Sequence, residues 1–299
     1  MATGDGWTVA SDGLRARENG TWGRDKLAFL DDYGPTALDA TYLKHQRVYI
    51  DLFAGPGRNV ASVSPTGSPD EFEGSPIRVL RMAGRVQSQV RFTGAHFVNL
   101  DPEDHDALAT RVDRLYASGN AVVPRGAVDV RRGDANRVAV DILRDVHVKA
   151  YVLVFADITK PNHWPWRTIE RIRALKHESL ELYMLFPLGM AIQRLIAVHN
   201  PEHTEKCAHS LTRFFGTDAW RTLAERRHTD AQSPELRRGL EDLYLTQLRR
   251  HWRYARSVKD VRRGGQSLYR MLFASDHEAG ERIADWARRQ ERGDQLRLF

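Results

Sequence analysis

The chain has almost no sulfur chemistry to offer. Cys207 is the only cysteine in 299 residues, which excludes an internal disulfide and a multi-cysteine zinc site and fits a reducing cytoplasm. Cys207 and His209 are metal-ligand types without a second pair, so they imply no metal site. A long apolar run is missing too. The greasiest stretch, LYMLFPLGMAIQRLIAV from Leu182, is interrupted by Pro187, Gln193 and Arg194 and falls short of the roughly 20 residues a bilayer span needs. The opening MATGDGWTVASDGLRARENG has no apolar core after a basic start, so no secretory signal is expected. The twelve histidines have no Ser or Cys partner at a recognisable spacing, which leaves no case for a nucleophilic hydrolase. Internal repeats and low-complexity linkers are absent as well.

What is present is enough apolar material, 41% of residues, for a full core in one large domain or a domain plus a smaller module. Strand-length apolar runs occur at 47–53, 95–100, 127–133, 150–156 and 180–186, as in strands covered on both faces. Helical stretches lie between them. GSPIRVLRMAGRV offers Ser75 as an N-cap with Pro76 at the first helical position. DPEDHDALATRVDRLY has acids in its first turn and Leu108, Val112 and Leu115 at helical spacing. NHWPWRTIERIRAL and LGMAIQRLIAVH complete the series. Such alternation predicts an α/β fold, a parallel Rossmann-like sheet with helices on both faces. Before the first strand, TWGRDKLAFLDDYGPTALDATYLKH reads as one or two helices broken at Gly34 and Pro35.

The first strand runs straight into two glycines in DLFAGPGRN, so its turn was left bare to approach something. A P-loop is excluded because no Gly-Lys-Ser/Thr follows. The dinucleotide fingerprint is excluded because Val60 stands where a third glycine is required. Ligands of open α/β sheets bind at the carboxyl ends of strands, and there the later strands supply Asp101 (FVNLD), Asp134 with Asn136 (RGDAN) and Asp157 (VFAD). Taken singly, these carboxylates also serve as helix caps. Gathered around one turn, they would repel a pyrophosphate but suit hydroxyls, an adenine amine and a cation, the chemistry of S-adenosylmethionine.

The segments TWGRDKLAFLDDYG, YIDLFAGPGRN, GSPIRVL, FVNLDP, GDAN and SLYRMLFASDHEAGERI occur in this order from about residue 21 to about residue 287. Together they resemble the three-Cys-motif partner proteins, often written TcmP. The resemblance implies a class I methyltransferase-like domain that binds S-adenosylmethionine, a winged-helix-like C-terminal module and a partner protein carrying three cysteines. It also implies that Asp51, Phe53, Gly55 and Gly57 form the cofactor turn, that Asp101 holds the ribose, and that Asp134 and Asn136 lie beside the adenine. One departure stands out. The family tends towards Asp-Pro-x-Gly after the fourth strand, and this chain reads ADITKPNHWPW, with Ile158 next to Asp157. There Asp157 is the expected catalytic residue, and Trp164 or Trp166 a stacking plane for a flipped base, unless both are core aromatics.

Residues 205–299 hold twenty Lys and Arg against fourteen Asp and Glu, which is the whole of the chain's net charge of +6. Nine of those basic residues fall within 237–263, Arg262 and Arg263 among them. This pattern suits a polyanion or a solvated helix face. Helices followed by two β-prone runs flanking Gly264 and Gly265 suggest a winged-helix-like arrangement. The expected organisation is an N-terminal tail and helices (1–35), an α/β domain (36–203) and a basic module (204–299). Two functions are then open, a cytoplasmic S-adenosylmethionine-dependent methyltransferase acting on nucleic acid, with Trp164, Arg262 and Arg263 toward the substrate, or a non-catalytic binding protein of the same fold.

Overall fold

The computed structural model describes residues 6–20, 22–61, 70–175, 177–197, 201–225, 233–263 and 266–290. The chain starts with a hairpin of β1 (Trp7–Val9) and β2 (Arg15–Asn19), then helix α1 (Trp22–Ala40) and β3 (Arg47–Asp51). Short strands β4 (Arg58–Ala61) and β5 (Asp70–Glu73) precede α2 (Ser75–Leu80), β6 (Gly94–Asn99), α3 (Pro102–Ala117) and β7 (Val128–Arg132). Next come α4 (Ala135–Asp145), β8 (Tyr151–Ala156), α5 (Trp166–Arg173) and β9 (Ser179–Phe186). A π-helical turn leads into α6 (Gln193–Ile196), followed by α7 (Pro201–Phe215), α8 (Ala219–Glu225) and α9 (Pro234–Leu248). The described chain ends with β10 (Tyr254–Arg263), β11 (Gln266–Ser275) and α10 (Glu278–Gln290).

Seven strands form the central sheet, in the order β10-β11-β9-β8-β3-β6-β7. The five expected strands pair parallel around β3, and only β11 runs against its neighbours. Counted within this sheet, the order is that of a doubly wound nucleotide-binding sheet, with one reversed strand inserted before the last. Crossovers run outward from β3 in two directions, and their right-handedness sends α2 and α3 to one face and α4 and α5 to the other. Every residue of β8 and β9 is accordingly buried. A second sheet, β1-β2-β4-β5, joins the N-terminal hairpin to the segment after the glycine turn.

Three expectations are corrected here. The residues around Gly34 and Pro35 do not break α1, because Leu27, Leu30, Tyr33, Ala37 and Leu38 form one continuous buried stripe. Gly34 serves contact instead, since a Cβ there would lie 2.3 Å from Met82 Sδ. Ser75 does not cap α2, because Gly74 occupies the cap and the Ser75 hydroxyl is used elsewhere. The C-terminal hairpin is not a separate wing, since β11 pairs with β9 from Arg270 to Ala274 and completes the main sheet. Its anchor is Glu181, fully buried on β9, which accepts hydrogen bonds from Tyr33, from Tyr151 at 2.7 Å and from Ser275 at 2.9 Å. The Gly264–Gly265 turn lies outside the described residues. Among the described residues no helix is long and apolar enough to cross a membrane.

Candidate functional site

The carboxyl ends of β3, β6, β7 and β8 enclose one cleft of about 340 Å³. It opens beside β3 and β8, neighbours whose crossovers leave in opposite directions, to β6 and to β9, the position at which open α/β sheets bind ligands. Phe53, Gly55, Asp101, Asp134, Asn136 and Asp157 all line it. Four strand ends that are far apart in sequence thus converge on one space.

The glycine turn faces that space. Gly55 has φ +62°, and the position a Cβ would take is open. Asn99 holds the turn with both atoms of its amide, accepting from Gly55 N at 2.7 Å and donating to Gly55 O at 2.9 Å. Gly57 (φ +82°) has a packing role, since a Cβ there would lie 2.8 Å from Leu108 Cδ1. It borders a smaller recess between the turn, Ser75, Lys26 and Asp157.

The acids serve as caps and rim together. Asp101 Oδ1 accepts from Glu103 N at 2.8 Å, Asp104 N at 3.3 Å and Arg15 Nη1 at 3.1 Å. Its Oδ2 has no partner among the described residues, and the side chain is 43% exposed at the cleft. Asp134 caps α4 through Asn136 N at 2.9 Å. The Asn136 amide is committed, donating to His163 O at 3.1 Å and accepting from Thr168 Oγ1 at 2.7 Å, so it braces the loop after β8.

Asp51 does not line the cleft. It is fully buried beneath the turn, with Oδ2 accepting from Ser75 Oγ at 2.6 Å and Oδ1 from Phe53 N at 3.3 Å. Burial raises its pKa from 3.8 to about 7. The fold therefore keeps a proton that the unfolded chain releases near pH 4, and stability falls as pH rises from about 4 to about 7. Burial likewise raises Asp104, in the first turn of α3, to about 6. Asp51→Asn should flatten its share of this slope, at most about 4 kcal/mol. Thermal melts at pH 5 and pH 8 check it, and a variant whose melts keep the wild-type difference would clear Asp51 of the effect.

Asp157 is buried at the tip of β8, with Oδ2 paired to the ammonium of Lys26 on α1. Its Oδ1 is buried without a hydrogen-bond partner, in a residue that lines both cleft and recess. Lys26, Asp104 and Asn99 are site residues that motif reasoning missed. A signal existed for Lys26, because it sits on the stripe it shares with Phe29, Leu30 and Tyr33 at helical spacing.

Trp164 is corrected as a stacking plane. It is 0% exposed and meets Phe53 edge-on at 6.2 Å, so its ring has no free face. Trp166 is also a core aromatic, set edge-on to Tyr244. Arg262 is exposed outside the cleft and pairs with Asp260 at 2.5 Å. The side chain of Arg263 lies outside the described residues. Among the described residues no group of three His, Cys, Asp or Glu side chains could hold a metal ion.

Fold and cleft together describe a Rossmann-like protein with an acidic cleft at its topological switch point. No family model matches the chain, and no curated protein matches it either. Among solved structures it is similar to a protein from Legionella pneumophila, at 11% identity over 91% of each chain with a TM-score of 0.48. It is also similar to magnesium protoporphyrin IX methyltransferase from Synechocystis with bound S-adenosylmethionine, at 13% identity, TM-score 0.35, over 85% of this chain and 81% of that one. A third likeness is to a methyltransferase from Thiobacillus denitrificans in complex with S-adenosylhomocysteine, at 16% identity, TM-score 0.34, over 84% and 90%. The strand order carries the fold assignment, independently of these likenesses.

Proposed function

We propose that the cleft binds S-adenosylmethionine and that the chain is a methyltransferase acting on nucleic acid. The observation that carries this reading is the set of groups at four strand ends. Asp101, Asp104, Asp134 and Asp157 surround a turn whose Gly55 leaves room for close approach. A pyrophosphate would be repelled there, whereas a ligand rich in hydroxyls, amines and positive charge is favoured. When bound, S-adenosylmethionine supplies an electrophilic methyl group on sulfur. Asp101 Oδ2 is the acceptor available to ribose hydroxyls, and Asp134 with the loop braced by Asn136 flanks the adenine. Asp157 Oδ1 is the acceptor for a substrate amine or hydroxyl, and Lys26 holds that carboxylate in one orientation.

Two features support a nucleic-acid substrate. Because β10 is parallel to β9, its Arg262–Arg263 end lies at the same end of the sheet as the cleft. A separate depression of about 210 Å³ is lined by Arg58, Arg81, Arg111 and Arg114 against Asp12 and Glu73. The resemblance to three-Cys-motif partner proteins adds a finer reading, a cytoplasmic chain working with a three-cysteine protein.

A second reading, a binding protein that holds the cofactor without turnover, is favoured by the loop after β8. Ile158 and Trp164 are wholly buried there, so neither offers a stacking plane beside Asp157. Transfer of tritium from labelled S-adenosylmethionine into RNA, DNA and protein pools, with and without the partner, separates the two. Label in RNA or DNA is the expected result. Label in protein alone would remove the nucleic-acid substrate. No label from a chain that binds the cofactor would leave the binding protein.

A further inference from the structure

We propose that Arg17, on the N-terminal hairpin, recognises the α-carboxylate of S-adenosylmethionine; this rests on the cofactor reading above. Arg17 lies on β2, in register with Trp7 across the hairpin and with Asn59 on β4. Its guanidinium stands 5.3 Å from the Trp7 ring centroid, and the residue lines both the cleft and the recess beside the glycine turn. Neighbouring arginines are committed. Arg15 pairs with Asp101, Glu103 and Asp104, Arg58 pairs with Glu71, and Arg111 grips Asp12 and the carbonyl of Pro56. Arg17 has no carboxylate within ion-pairing distance among the described residues.

Charge then decides what Arg17 is for. Among the described residues that line the cleft, four are carboxylates and Arg17 is the one permanent cation. The cofactor carries the complementary pattern, a sulfonium and an ammonium beside a single carboxylate. With the ribose acceptor Asp101 and the adenine flank Asp134 just past the ends of β6 and β7, the amino-acid end falls toward β3 and β8, where Arg17 and the recess lie. A half-buried guanidinium facing a carboxylate makes a strong, geometrically selective contact. A nucleic-acid phosphate is the competing anion, and four carboxylates around the same space disfavour its entry.

Calorimetry with S-adenosylhomocysteine and 5′-methylthioadenosine tests this, because the two share an uncharged sulfur and differ in the amino-acid end. The wild type should prefer S-adenosylhomocysteine. Arg17→Gln should weaken that ligand by about 10- to 100-fold and leave methylthioadenosine within about twofold, with Arg17→Lys in between. Thermal melting of both variants verifies that they are folded. Equal weakening of the two ligands would make Arg17 a support for the hairpin, and no weakening of either would assign it to a substrate phosphate; each overturns the proposal. A wild type that binds methylthioadenosine as well as S-adenosylhomocysteine overturns it too, while leaving the cofactor cleft standing. A wild type that binds neither removes the cofactor reading itself and this proposal with it.

Discussion

Asp157→Asn should cut methyl transfer by on the order of 10²-fold or more, the range of a positioned acid–base group, while leaving cofactor affinity within a few-fold. The asparagine keeps the shape of the side chain, and its amide oxygen can still accept from Lys26. Its nitrogen then takes the place of Oδ1, the buried oxygen without a partner. A donor facing the substrate cannot accept the hydrogen of an amine or hydroxyl, so the substrate loses its positioning contact. Asp157→Ala is the less informative change, because it strands the Lys26 ammonium in a site where both side chains are 10% exposed. Single-turnover rates with saturating labelled cofactor give the measurement. A variant that keeps the wild-type rate would return Asp157 to a purely structural role.

The cleft was legible because its residues stand where local pattern meets topology. Apolar runs located the strands of the parallel core to within a residue or two, and each acid follows a run directly. Cap and rim readings of Asp101 do not exclude one another, since Oδ1 caps α3 while Oδ2 stays open. The C-terminal hairpin was misplaced for a physical reason. Alternation and a glycine turn identify a hairpin but say nothing of its neighbour, which is fixed by long-range pairing with β9. Glu181 inside the apolar run LELYMLF was the missed hint, a buried carboxylate that had to find donors.

The N-terminal hairpin was missed as well. Asp12-Gly13 between two short runs is a hairpin signal, and Gly13 does take φ +78°, but strands of three and five residues are too short to stand out. With that hairpin went Arg15 and Arg17, which border the cleft from outside the α/β core. The basic cluster at 237–263 was legible as charge alone. In the fold Arg256 pairs with Glu281 and Asp285 on α10, and Arg262 with Asp260 on its own strand, so part of that charge is balanced.

Lys26→Met should destabilise the protein by about 3–5 kcal/mol, the typical result of removing one partner from a buried ion pair. The loss arises from what remains, a largely buried Asp157 carboxylate without its counterion. Asp157→Leu should be costly in the same way, by leaving the ammonium alone. The double variant Lys26→Met/Asp157→Leu should recover most of the stability, because a packed apolar pair carries no desolvation penalty. Urea unfolding of the four proteins closes the cycle. If the single changes cost less than about 1 kcal/mol, the pair is reached by solvent and behaves as a surface pair. If the double variant is as stable as the wild type and inactive, the buried charges are retained at the base of the cleft for chemistry rather than for the fold.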